Sequence, residues 1–348
     1  MPRDLSRITG IKQDARTFKP EPSLACDQTL VGIEVEIENA SEFNTHSNKL
    51  RFWSEVGERS LRNSGAEYVT PPIQGADILT AMDELRKHVA SLQRMPTVGE
   101  RTGLHVHIDC RDSTLQSLYR FIVVYTIFEK YLFSKCEEGR DGNAYCVPLS
   151  DCQDLLVGMK KLLSPRDVTS RSFLNNYPKY TAINLKPLLS LGTVEIRMHE
   201  GTYDADVILH WVNLLLSIKR YAENSEDSPQ QLVDAVCADP ENYFADVFKQ
   251  FGDGDFTDEV YAGMLSGARA AQFMYRVKEV PEVAREETLL HSLYSKETNE
   301  AEAKKAPSVT VSEQYAAILA RQQERQARFS NEMLGGTEVP TNPFRTDS

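Results

Sequence analysis

Four stretches of the chain alternate apolar and polar residues with period two, the signature of strands whose successive side chains point to opposite faces. In Gly32-Ile33-Glu34-Val35-Glu36-Ile37-Glu38, the aliphatic residues fall on one side and three carboxylates on the other. Ala66-Glu67-Tyr68-Val69-Thr70 repeats the pattern until Pro71-Pro72 stops it. Leu104-His105-Val106-His107-Ile108-Asp109 and Thr193-Val194-Glu195-Ile196-Arg197-Met198 repeat it again, and a further strand is predicted over 180–185. Helical spacing, with apolar residues three or four apart, predicts helices over about 75–93, 114–134, 151–163 and 206–221. Residues 1–29 read as an irregular arm broken by Pro20 and Pro22, and 30–225 as the main domain. Residues 226–300 read as a smaller helical extension. Residues 301–348 read as a linker, a polar helix over about 314–333 and a disordered tail whose composition builds no core, so truncation after Glu300 is expected to spare the chemistry.

The polar faces carry the chemistry. Glu34, Glu36 and Glu38 repel one another unless a cation or basic groups lie among them. Taken alone, this strand fits a solvated edge as well as a metal site. The other strands add Glu67, then His105, His107 and Asp109, then Glu195, Arg197 and His199. If the strands share a sheet, one face is core under helices and the other a basin of carboxylates and imidazoles with one guanidinium. Such donors suit a hard cation. Arg197 is either an ion-pair partner or a fork for phosphate.

Composition narrows the function classes. Lys plus Arg number 39 against 51 Asp plus Glu, a net charge of −12, which disfavours non-specific nucleic-acid binding. No apolar run approaches the roughly 20 residues of a membrane helix. Met1-Pro2-Arg3-Asp4 does not open a signal peptide. The six cysteines form no CxxC pair, so reduced thiols in a cytoplasmic protein are expected.

Gly32-Ile33-Glu34-Val35-Glu36, Gly65-Ala66-Glu67-Tyr68-Val69, Gly103-Leu104-His105-Val106-His107 and Gly192-Thr193-Val194-Glu195-Ile196-Arg197 occur in this order. Together with Ser60-Leu61-Arg62, Ala182-Ile183-Asn184-Leu185, and Glu200-Gly201-Thr202 before a helix with Trp211, they resemble the motif set of the amidoligases, over about residues 30–222. These belong to the carboxylate–amine ligase superfamily of glutamine synthetase and γ-glutamylcysteine ligase. The resemblance implies an α+β fold: a curved, mainly antiparallel sheet with helices on one face and the active site on the open face. It implies an ATP-dependent ligase that makes an amide, peptide-like or isopeptide, through an acyl phosphate, with Mg²⁺ or alternatively Mn²⁺. Carried over, Glu34 and Glu36 would hold separate ions, Glu67 joining Glu36, and His105 and Glu195 joining Glu34. Glu36, Glu195 and Arg197 would be catalytic, Arg197 binding the phosphoryl group in transfer. Arg62, His107, Lys179 and Asn184 would contact substrate. Two positions depart from the family: Glu58 stands for an acidic residue that is usually Asp, and Lys179 for an Arg, which weakens bidentate contacts.

The substrates implied are a carboxylate and an amine, in peptide, protein or cell-wall material, and the tail is a candidate site for binding another protein. Two other readings compete. His105-x-His107-x-Asp109 is shared with zinc hydrolases, although Cys110 stands where one such type has His, and few further histidines fall on strands. A non-catalytic scaffold retaining the fold would have no need for opposed carboxylates. An Arg197 on an open face is expected to be removable without loss of stability.

Overall fold

The alternating stretches become neighbouring strands of one sheet. The structure, a computed structural model, describes residues 4–12, 21–26, 28–40, 50–56, 61–92, 94–252 and 254–276. Its strands are β1 (Val31–Ile37), β2 (Ser54–Val56), β3 (Ala66–Val69), β4 (Gly103–Asp109), β5 (Ile183–Asn184) and β6 (Thr193–Glu200). They lie in the order β2-β3-β1-β4-β6-β5, and every pairing is antiparallel. The fold is α+β, an open antiparallel sheet with helices and a helical C-terminal region. β2, which was not predicted, is a three-residue exposed edge. Its neighbour Trp53 is buried and donates its indole N–H to Ala81 O at 3.0 Å.

The helices among the described residues are α1 (Ser6–Thr9), α2 (Ala76–Ala90), α3 (Leu115–Phe133), α4 (Gln153–Gly158), α5 (Asp167–Asn175), α6 (Ala205–Asn224), α7 (Pro229–Ala238), α8 (Pro240–Phe248) and α9 (Asp258–Tyr275). The predicted helix over 151–163 is α4 followed by a 3-10 segment at Met159–Leu163, and α5 was not predicted. Caps fix where the long helices begin. Thr114 and Ser117 form a reciprocal capping box before α3, and Asp204 accepts the first N–H groups of α6.

Ile33, Val35, Ile37, Leu104, Val106, Ile108, Val194 and Ile196 are all fully buried and belong to one core with the apolar faces of α2, α3 and α6. Tyr125 of α3 reaches Met198 Sδ of β6 at 3.5 Å, which places α3 against the sheet. α7, α8 and α9 add to this same core: Phe128 of α3 contacts the rings of Tyr243, Phe244 and Phe248. Parts of the N-terminal arm are packed. Leu5 and Ile8 are buried, and Asn213 of α6 accepts from Ala25 N–H and donates to Ser23 O. No helix among the described residues is long and apolar enough to cross a membrane. The predicted helix over 314–333, the tail, and Glu58 and Ser60 lie outside the described residues.

Candidate active site on the open face of the sheet

Register carries the polar residues to one place. In antiparallel strands, directly opposed residues share a face. Glu34 opposes His105, Glu36 opposes Glu67, His107 opposes Glu195, and Glu195 opposes Asn184. The apolar residues between them point to the helices, so this set occupies the other face. Four of the strands meet there, β3, β1, β4 and β6, with β5 at the edge.

One residue of the predicted set is elsewhere. The β4–β6 ladder slips between Leu104 and Val106, which pair with His199 and Ile196. His105 therefore faces two residues of β6, a bulge that inverts the alternation beyond it. His199 turns to the helix side, buried, with its ring 4.9 Å from that of Trp211 and its Nδ1 2.9 Å from Glu200 O. Burial pushes its pKa down. Glu38 also leaves the row: it lies past the end of β1, where its Oε1 accepts from Arg62 N–H at 2.9 Å. The Arg62 residue itself is exposed. Asp109 is forked by Arg111, with Nε to Oδ1 at 2.8 Å and the terminal nitrogen to Oδ2 at 2.9 Å. That engagement takes up the third member of the HxHxD run.

Glu34 is the hub. Its Oε2 is 3.3 Å from His105 Nδ1 and its Oε1 is 3.1 Å from His107 Nε2. Burial would raise its pKa, but hydrogen bonds from the two histidines and their charge override burial and hold the carboxyl well below the usual range. His107 is pushed down by burial and up by Glu34, with a net rise. Two sets of donor atoms converge within 4.8 Å of one another: Glu34 with Glu67 and His105, and Glu34 with His107 and Glu195. Carboxylate oxygens with one imidazole suit Mg²⁺ or Mn²⁺ better than a thiolate-loving metal, so these residues fit such a cation. The partition differs from the one implied by resemblance. Glu67, which directly opposes Glu36, also groups with Glu34, and His107 sits among the donors as well as facing the open side. Glu36 accepts Gly103 N–H at 2.7 Å.

The neighbouring side chains hold the donors in place. Asn184 Nδ2 donates to Glu195 Oε2 at 2.7 Å, while its Oδ1 accepts from Lys186 N–H at 3.0 Å. Both ends of that amide are thus used within the protein, which makes Asn184 a support for Glu195. Thr193 Oγ1 meets His107 Nδ1 at 2.9 Å and leaves Nε2 to Glu34. Arg197 pairs with Glu195 Oε1, the two side chains being 17% and 6% exposed. Burial lowers and Glu195 raises the Arg197 pKa, with a net rise. Its Nε is buried and makes no protein hydrogen bond.

Beside the donors lies a cavity of about 120 Å³. Glu36, His105 and Arg197 contribute its sheet side; Arg101, Tyr145, Lys179 and Tyr180 contribute its walls. The sequence reading singled out Lys179 but not Thr193, Arg101, Tyr145 or Tyr180. Loop residues carry no periodicity, so only proximity in the fold reveals the last three. The six cysteines are free thiols.

No curated protein matches the chain. A family model described as "putative amidoligase enzyme" matches residues 13–219, a span that contains every strand of the sheet and all the donor residues. That match covers more than half of the 348 residues, and the chain belongs to the amidoligase family, the amide-bond-forming ligases.

Proposed function

We propose that the protein is an ATP-dependent carboxylate–amine ligase that works through an acyl phosphate with Mg²⁺ or Mn²⁺. The observation that supports this most is the convergence of two donor sets on Glu34 beside a cavity into which Arg197 faces. A carboxylate oxygen of the first substrate attacks the γ-phosphorus, the bond to the β-phosphate oxygen breaks, and ADP leaves. The amine nitrogen of the second substrate then attacks the acyl carbon, the bond to phosphate breaks, and the amine gives up a proton.

The chain's residues divide the work. Glu34, Glu67 and His105 would hold one cation, and Glu34, His107 and Glu195 another. Bound there, such ions would neutralise phosphate oxygens as charge moves to the leaving group. Arg197 would bind the phosphoryl oxygens, supplying charge already oriented before the transition state forms. Asn184 and Thr193 keep Glu195 and His107 from swinging away. Glu36 lines the same cavity as His105 and Arg197, and the carboxylate substrate would lie on that side, beside Arg197. The substrates would be peptide, protein or cell-wall material, in the cytoplasm.

The test uses purified full chain, ATP, Mg²⁺ and a set of carboxylates, with hydroxylamine as the amine. ADP release that requires the carboxylate, accompanied by a hydroxamate, is the expected result. Carboxylate-independent ATP hydrolysis, or zinc-dependent hydrolysis without nucleotide, would refute the proposal. Capture of Asp109 by Arg111 weighs against the hydrolase alternative, because that chemistry needs the aspartate as a ligand.

A further inference from the structure

We propose that Tyr145 is the stacking platform for the base of the nucleotide, with Arg101 and Lys179 as the cations that meet its phosphates. This rests on the ligase reading and assigns a part of the site that neither the family match nor the donor cluster identifies. Among the described residues most aromatic rings lie in the core, but Tyr145 is 46% exposed and lines the same cavity as Glu36, His105 and Arg197. An exposed aromatic on a convex surface carries little meaning. One at a concave site also lined by four cations, Arg101, Arg140, Lys179 and Arg197, offers a flat ligand its face and an anionic ligand its charge.

The ring is held ready. Tyr180 meets it edge-on, with centroids 5.5 Å apart and planes at 84°. The Lys179 ammonium lies 4.6 Å from the Tyr180 centroid, so one face of that ring is taken by the cation and Tyr145 is the ring left for a ligand. The segments carrying these residues are tied together. Val147 N–H donates to Tyr180 O and Ala182 N–H to Val147 O, both at 2.8 Å. Asn143 Oδ1 accepts from Tyr145 N–H at 2.8 Å, and its Nδ2 donates to Glu100 O at 2.9 Å, next to Arg101. Buried Glu129 accepts from Leu149 and Ser150 N–H at 2.7 and 2.8 Å, fixing the far end of the Tyr145 segment. A wall made of three segments therefore presents one aromatic face and two cations without needing to be ordered by the ligand.

Binding of Mg²⁺–ATP and of Mg²⁺–tripolyphosphate, measured by calorimetry on the full chain, tests the assignment. Tyr145→Ala should weaken ATP by about 5- to 100-fold, the range expected for loss of one base–aromatic stack, and leave tripolyphosphate within about two-fold. Tyr145→Phe should retain ATP affinity, and Tyr145→Leu, which keeps bulk but has no π face, should not. Lys179→Ala should weaken both ligands. Unchanged ATP affinity in both Tyr145→Ala and Tyr145→Leu would overturn the assignment while leaving the ligase reading standing. Equal loss of ATP and tripolyphosphate in those variants would also overturn it, since stacking touches only the base. Wild-type protein that binds neither ligand would overturn the ligase reading along with it.

Discussion

Arg197→Ala separates the catalytic and structural roles of that residue, and the two roles predict different measurements. On an open sheet face an arginine would be removable at no cost in stability. The structure changes that expectation, because Arg197 is paired with Glu195 and both side chains are largely shielded from water. Removing one partner of a buried pair typically costs about 3–5 kcal/mol, since the other charge stays behind. Here the remaining charge is partly served: Glu195 keeps the Asn184 Nδ2 donor at 2.7 Å and has His105 Nδ1 at 3.8 Å. The cavity also admits water beside it. A loss of about 1–3 kcal/mol is therefore expected, a fall in melting temperature of roughly 2–12 °C at about 2–4 °C per kcal/mol for a domain of this size.

Mg²⁺ gives a second handle on the same variant. A cation at Glu34, His107 and Glu195 competes with Arg197 for the Glu195 carboxylate. Without the guanidinium, the cation meets an uncompensated cluster, so Mg²⁺ should raise the melting temperature of Arg197→Ala more than that of wild type. Turnover should still fall by about a hundredfold or more, the scale for losing one stabiliser of developing charge. Arg197→Lys should recover part of the melting temperature but little turnover, because a point charge does not span two phosphoryl oxygens. The assays are thermal melts with and without Mg²⁺, beside ADP release. A lowered melting temperature with turnover preserved in the folded fraction would refute the phosphoryl-binding role. An unchanged melting temperature would refute the pairing with Glu195.

Other substitutions probe the rest. Glu34→Gln removes the carboxylate common to both donor sets, so the Mg²⁺-induced rise in melting temperature should vanish; a retained rise would place the cation elsewhere. The Glu129 carboxyl is raised by burial from 4.5 to about 7, so its contribution to stability is complete below pH 4.5 and lost as pH climbs to about 7. Glu129→Gln should lower the melting temperature overall, and the part of its pH slope between 4.5 and 7 that Glu129 supplies should disappear; an unaltered slope would assign it to other groups. A Cβ at Gly267 of α9 would overlap the Thr126 and Ile127 carbonyls of α3, so Gly267→Ala should destabilise by roughly 1–3 kcal/mol in a denaturant melt while the folded fraction keeps its activity. A cost near zero would mean that α9 docks on α3 less closely.

How far the site was legible depends on which physical rule placed each residue. Period-two alternation put Glu34, Glu36, Glu67, His105, His107, Glu195 and Arg197 on one face correctly, because in each strand the buried aliphatic residues fix which side is core. The same rule misplaced His199. Alternation assumes an unbroken ladder, and nothing in Glu195-Ile196-Arg197-Met198-His199 announces that one residue of β4 will oppose two of β6. Glu38 failed for a different reason: it lies one position past β1, where its backbone bridges to Thr97 and its carboxylate accepts the Arg62 N–H. Partner choice was less legible still. Glu67 directly opposes Glu36 and also reaches Glu34, and such side-chain reach across the diagonal of an antiparallel pair is not encoded by the pattern along one chain. The cavity walls were least legible, since Arg101, Tyr145 and Tyr180 are brought to the site by backbone and Asn143 side-chain hydrogen bonds among three loops far apart in sequence. The donor cluster is thus specified strand by strand, and the surface that would select a nucleotide or substrate is specified by tertiary contacts. That division has a consequence for variants: changes on the strands should alter cation binding, whereas changes at Asn143 or Glu129 should loosen the wall and alter ligand affinity with cation binding intact.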